Sequence, residues 1–258
     1  LIGFFMGIST GAGVVIAQFF GAGNTCKMKR AIHNSIALTL VMGVVLTIVG
    51  LLFNDPILKA IGVPSEVFSE ASTYLSIYFW SLIFVMVYNM GSGILRSVGD
   101  SKRPLYFLIF SSVVNIILDF LFVKYFHFGV AGAGYATLIA QAISAIMVMY
   151  VLMKTEDDYK VVLKEIGFDK EILLKIIKIG LPTGFQQSIV SLSNVIVQSY
   201  INVYGASVIA GYSVTIKIDG FVNLPLQAFN MAITTFVGQN IGAKQYDRVK
   251  KGAYITTA

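Results

Sequence analysis

The sequence is short of charge and nearly free of cysteine. Only 12% of its 258 residues are Asp, Glu, Lys or Arg, against about 25% in soluble domains. Hydrophobic residues make up 56% and the mean hydropathy is +0.78. That balance excludes an ordinary soluble domain and assigns the chain to the membrane class. A single cysteine, Cys26, excludes an internal disulfide and leaves the redox compartment unread. There are two histidines, His33 and His127. With Cys26 they have no ligand spacing, which speaks against a zinc site, and both stand at the ends of apolar runs, where interfacial positions are expected. No charged segment precedes the first apolar run, so that run does not read as a signal peptide. The chain opens at Leu1 and closes at Ala258 inside apolar runs, which leads us to expect a piece of a longer protein. The net charge of +6 does not indicate nucleic acid, because the basic residues lie in short stretches between apolar runs.

What is present is a succession of apolar runs. Leu1–Asn24 is uncharged, with Gly3, Gly7 and Gly11 on a stripe suited to close helix packing. Ala31–Phe53 and Ala71–Leu95 carry no Asp, Glu, Lys or Arg and are long enough to span a bilayer. Between them Asn54-Asp55-Pro56 and Gly62-Val63-Pro64 punctuate a loop, and Ser65 is the expected cap of the next helix. The fourth run, Pro104–Val123, is 20 residues long and holds one charge, Asp119. Val130–Met153 is the fifth run and Ile179–Tyr204 the sixth. Ala206–Ala243 is uncharged apart from Lys217 and Asp219. As one straight helix Ala206–Ile241 would measure about 54 Å, so a kink or break near Gly220 or Pro225 is expected. Lys217 and Asp219, two residues apart, do not face each other on a straight helix. Lys154–Lys178 is the most polar stretch. There Asp169 is the expected cap of a helix whose Ile172, Leu173, Ile176 and Ile177 face away from Lys170, Lys175 and Lys178, as in a helix lying in the membrane interface.

The basic residues orient the chain. With the loops numbered alternately and the first placed inside, 16 of the 19 Lys and Arg fall on the inner side. The positive-inside rule then makes residues 24–30 cytoplasmic. The sequence also repeats itself. Gln18-Phe-Phe-Gly21-Ala22-Gly23 returns as Gln239-Asn-Ile-Gly242-Ala243-Lys244, and at the same offset Lys27, Lys29 and Arg30 meet Arg248, Lys250 and Lys251. From the first run to the seventh is six helices, an even number, so both copies enter the membrane in the same sense, as in transporters with a parallel repeat.

Asp119 is the residue that asks for a function. A carboxylate at mid-membrane costs about 2.5 kcal/mol or more and marks a functional position by default. Asn115 lies one turn earlier on the same face. Thr137, on the next run, falls at a similar depth if the two helices are antiparallel. A titratable acid beside neutral oxygens suits a proton or a hard cation such as sodium, and the residues leave the two open. Gln186, Gln187 and Asn194 on the sixth run serve either helix packing or a substrate cavity.

The stretches VVIAQFFGAGN, ILRSVGDSKRP, NIILD followed by GVAGAGYAT, IIKIGLP and TTFVGQNIGAKQ together resemble the multidrug and toxic compound extrusion (MATE) transporters of the flippase-like superfamily. The resemblance implies an all-α transmembrane fold, part of a twelve-helix bundle in two lobes with a parallel internal repeat. The chain would then start in helix 2 and stop at the start of helix 9. Residues 1–153 would be the N-terminal lobe without its first helix, 154–178 a cytoplasmic linker with the interfacial helix, and 179–258 the start of the C-terminal lobe. It further implies a cation-coupling site at Asp119, Asn115, Thr137 and Ala133, with Asp119 and Asn115 as metal ligands if sodium is the coupling ion. Asn89, Gln186, Gln187 and Asn194 would face the substrate cavity. Some members carry a glutamate early in helix 7, where this chain has LPTGFQQSIV and no acid, which points to the DinF-type rather than the NorM-type branch. The implied activity is antiport of organic, cationic compounds against H+ or Na+. No enzyme chemistry, cofactor or nucleic acid is expected. The partners are small organic substrates and membrane lipid, the full-length protein is expected to be a monomer, and the location is the plasma (inner) membrane. The alternatives are a flippase of lipids or lipid-linked oligosaccharides, disfavoured because only Lys217 offers a cation within a run, and a membrane scaffold or receptor that does not transport.

Overall fold

The computed structural model describes residues 2–60, 63–202, 204 and 206–257. Its described residues form helices and turns: α1 (Ile2–Gly21), α2 (Thr25–Leu52), the short α3 (Asn54–Ala60), α4 (Ser65–Ser97), α5 (Lys102–Asp119), α6 (Gly129–Lys154), α7 (Lys170–Asn202), α8 (Ala206–Gly242) and α9 (Tyr246–Thr257). A π-helical turn, Phe120–Tyr125, prolongs α5, and a 3₁₀ turn, Leu163–Glu165, lies between α6 and α7. Five of the helices, α1, α2, α4, α6 and α5 with its π turn, are long and apolar enough to cross a membrane. Their outward faces carry Val, Ile, Leu and Phe in quantity, as a lipid-facing surface requires.

Local chemistry explains where the elements differ from the expectations. Lys27, Lys29 and Arg30 are not a loop but the opening turns of α2, which begins at Thr25 because Asn24 Oδ1 accepts the Lys27 amide at 3.0 Å. Ser65 does not cap α4: Pro64 holds the cap position, with no side-chain bond to the helix end. Asn54-Asp55-Pro56 opens the helix α3 rather than a loop, since proline is tolerated in a first turn. Asp169 does cap α7, its Oδ1 accepting the amides of Glu171 at 3.0 Å and Ile172 at 3.2 Å. Residues 170–178 do not stop as a separate interfacial helix. They run without a break through Pro182 into the rest of α7. Likewise α8 continues unbroken through Gly220 and Pro225.

The chain packs as two units, one of residues 1–28 with 174–258, the other of residues 29–173. In the first, α1 lies on α7 and α8 by backbone approach. A Cβ on Gly11 would come 2.5 Å from the Gly180 nitrogen, and one on Gly7 would come 2.7 Å from the Thr183 carbonyl carbon and closer still to Gly184. Only glycine allows such contact. The two copies of the internal repeat also touch. A Cβ on Gly21 would strike the Gln239 carbonyl, and one on Gly242 would strike the Gln18 carbonyl. Each copy offers its glycine to the other's glutamine.

In the second unit α4 packs against α6, and α5 against α6. The α4–α6 pair is parallel: Gly91 meets Val148 and Gly134 meets Ile77, the same spacing on both helices. The α5–α6 pair is antiparallel, with Ser111 meeting Ser144 and Phe122 meeting Gly132. The buried Ser144 hydroxyl donates to that of Ser111, which in turn donates to the Phe107 carbonyl at 2.8 Å. Tyr88 Oη ties α4 to α5 through the Pro104 carbonyl at 2.9 Å. At the far end of α2, buried Asn54 donates to the Ser72 carbonyl at 2.9 Å and to Ser76 Oγ at 2.7 Å. Asn54→Ala strands these acceptors, so a loss of about 1–3 kcal/mol is expected, read as a lower melting temperature in detergent.

Candidate functional site

Asn115 and Asp119 occupy the last two turns of α5, and the α-helical spacing of four puts them on one face. Directly after Asp119 the backbone widens into the π turn, where Phe126 N–H bonds the Leu121 carbonyl, five residues back, at 3.0 Å. Such widenings are frequent beside functional residues. Both side chains are half-buried. Asp119 Oδ1 and Asn115 Nδ2 are shut off from solvent and have no hydrogen-bond partner. Most buried polar atoms in proteins are paired, so two orphans one helical turn apart ask for an explanation. An ion or proton shared between them supplies one. The amide of Asn115 turns over to offer oxygen in place of nitrogen at little cost.

Thr137 stands on α6, its hydroxyl donating to the Ala133 carbonyl at 3.0 Å and keeping its oxygen lone pairs free to face a cation. The register fixed by Ser111–Ser144 and Phe122–Gly132 brings Asp119 level with Tyr135, and Thr137 level with Ile117. Asp119 and Thr137 therefore differ in depth by about two residues, roughly 3 Å. Lys124, the nearest cation in sequence, sits over the Phe120 ring with Nζ 4.7 Å from its centroid.

Asn89 lies elsewhere. The parallel α4–α6 register puts Thr137 level with Trp80, which leaves Asn89 nine residues further along α4, about 14 Å deeper. It is half-buried, and its amide donates to the Val85 carbonyl at 2.8 Å. Gln186, Gln187 and Asn194 belong to the other unit, on α7, and their side chains are exposed. Among the described residues there is no group of three or more His, Cys, Asp or Glu that could hold a metal.

One residue read from its position at a run end is packed inside the protein. His33 is only 3% exposed. Its Nδ1 donates to the Lys29 carbonyl at 2.7 Å, and its Nε2 accepts the Val162 amide at 2.9 Å. Neighbouring residues on α2 hold the same segment. Lys29 pairs with Asp158 at 3.5 Å, Arg30 with Asp169 at 3.7 Å, and the Asn34 amide donates to the Asp169 carbonyl at 2.8 Å. The spacing of Lys29, Arg30, His33 and Asn34, two pairs of neighbours one turn apart, is the signal by which one polar face could have been recognised.

Comparison with known proteins places this architecture. A family model described as MatE matches residues 1–121 and 182–258. Over 97% of its length the chain is 34% identical to "Probable multidrug resistance protein YoeA" of Bacillus subtilis (strain 168), covering 56% of that protein. Over 91% of its length it is 26% identical to "Multidrug export protein MepA" of Staphylococcus aureus (strain NCTC 8325 / PS 47), covering 52%. Among solved structures it superposes on an outward-facing conformation of a multidrug resistance MATE family transporter with a TM-score of 0.91, at 26% identity over 99% of this chain and 57% of that one. With an inward-facing conformation of such a transporter the TM-score is 0.77, at 27% identity over 99% of this chain and 58% of that one. The chain thus spans about half the length of the curated relatives it matches.

Proposed function

Because the chain belongs to the MATE family, we propose that the protein of which it forms part exports organic, cationic compounds in exchange for H+ or Na+ entering the cell. The observation that carries this reading is the unpartnered Asp119 Oδ1, shielded from water at the end of an apolar helix beside the equally unpartnered Asn115 Nδ2. A carboxylate so placed binds a cation when one arrives and is uncovered when it leaves, which is what coupling requires. Asn115, the Thr137 hydroxyl and the Ala133 carbonyl are the neutral partners of that ion. Asn89, Gln186, Gln187 and Asn194 line the path of the organic substrate. Residues 1–153 and 179–258 act as the two lobes, with 154–178 between them and the packing of α1 on α7 and α8 as the seam across which they move, and residues 24–30 face the cytoplasm from the plasma membrane. The relatives are named for multidrug resistance and export, and the flippase alternative gains no support from them.

The test is efflux of a fluorescent organic cation from liposomes holding the full-length protein, driven by an imposed sodium or proton gradient. Gradient-driven efflux is expected, and Thr137→Val should raise the cation concentration needed for half-maximal rate by about 10-fold, the loss of one good neutral ligand contact. Dye movement indifferent to both gradients sinks the proposal.

A further inference from the structure

The buried His33 and the segment it holds invite a second reading. Residues 155–169 form a strap laid over the second and third turns of α2, fastened by Lys29, Arg30, His33 and Asn34. Within the strap Tyr159 is buried and takes an Arg103 guanidinium bond at 3.3 Å, while the Val161 amide bonds the Leu152 carbonyl at 2.8 Å. His33 holds it by a contact that works in one protonation state only. Val162 contributes an amide N–H, which can only donate, so Nε2 must carry a lone pair. Lys29 contributes a carbonyl, which can only accept, so Nδ1 must carry the hydrogen. The imidazole is thereby fixed as the neutral Nδ1–H tautomer. A proton added at Nε2 turns the acceptor into a donor facing a donor, and the bond to Val162 is lost. A replacement is at hand: Glu165 Oε2 lies 3.8 Å from Nε2 on the same strap.

We infer that His33 is a pH-operated fastening, which holds the strap through Val162 when neutral and releases that amide to pair with Glu165 when protonated. The charged groups that face the strap and its fastening are Lys29 and Arg30 on α2, Arg103 on α5, and Asp158, Glu165 and Asp169 on or beside the strap. Histidine is the side-chain type that changes charge between about pH 5 and 8. Asp157 is held below the usual carboxylate range by the Thr155 hydroxyl, then by the Tyr159 hydroxyl, with desolvation opposing them and the charge of Arg103 contributing least. On the side that the Lys and Arg bias makes cytoplasmic, the strap leads straight into Asp169, the cap of α7. Acidification of that side loosens it, and the consequence for transport rests on the function proposed above.

The direct readout is independent of transport. Hydrogen exchange at the Val162 amide is measured in the full-length protein in lipid nanodiscs at pH 7.5 and 5.5, corrected for intrinsic exchange, with the α6 amide of Val148 as internal reference. Below the imidazole transition protection at Val162 should fall by about tenfold per pH unit relative to Val148. His33→Gln should be flat across the same range. Glu165→Gln alters only an exposed side chain; it keeps the closed state, removes the alternative partner, and should show a smaller loss at pH 5.5. Protection that does not change with pH in the unaltered protein overturns the inference. So does an equal loss in His33→Gln, and so does an unchanged loss in Glu165→Gln.

Discussion

Asp119→Asn in the full-length protein should reduce gradient-driven efflux to the leak, a fall on the order of a hundredfold if the whole coupling free energy is lost. The melting temperature should stay the same or rise. The two readouts together decide between the roles open to this residue. If the carboxyl only held helices together, its removal would strand a partner and destabilise the protein by about 1–3 kcal/mol. But Asp119 Oδ1 has no hydrogen-bond partner to strand. An isosteric amide fills the same space and removes the charge that an ion needs. Retained gradient-driven efflux in Asp119→Asn would remove the site from its proposed role. Lost efflux with a lowered melting temperature would assign it to structure.

The second large effect is expected where the repeat copies meet. Gly21→Ala places a Cβ on the Gln239 carbonyl, and Gly242→Ala places one on the Gln18 carbonyl. Neither obstacle is the flexible end of a side chain, so α1 and α8 have to part. Overpacking of this kind costs about 1–3 kcal/mol, and a steep fall in folded yield from membranes is expected for either change. Gly220→Ala, in the same helix α8, is the control. Nothing lies within 4 Å of its Cβ position in this chain, so alanine there should be neutral or add about 0.5–1 kcal/mol through helix propensity. Fluorescence-detected size-exclusion profiles of the three variants compare them directly. If Gly21→Ala folded as well as Gly220→Ala, the backbone contact would not matter to the fold.

These sites show how far the sequence could be read. The apolar runs forecast the membrane helices because a bilayer-length stretch without charge has few other uses. The offset of 221 between Gln18 and Gln239 displayed the repeat, but not that the copies press together, since a glycine says only that something may come close. Asn115 and Asp119 share a face by α-helical spacing, and that reading holds as far as Asp119. Beyond it the π turn interrupts the 3.6-residue period, and hydrophobic periodicity carries no mark of a widened turn. The burial of His33 was illegible for another reason. Its partner is a main-chain amide 129 residues away, and every residue type except proline has one. The continuity of α7 through Pro182 went unread because a polar, amphipathic opening and an apolar remainder look like two segments.

Cys26, the single and solvent-exposed thiol in the first turn of α2, gives the experimenter an advantage. A maleimide dye or nitroxide attaches there with no native cysteines to strip out of this chain beforehand. One engineered cysteine at Asp247, in the first turn of α9 and in the matching place of the second repeat, completes a spectroscopic ruler across the α1–α8 crossing. Its length, followed while ions and dyes are added, reports whether that crossing opens during a transport cycle.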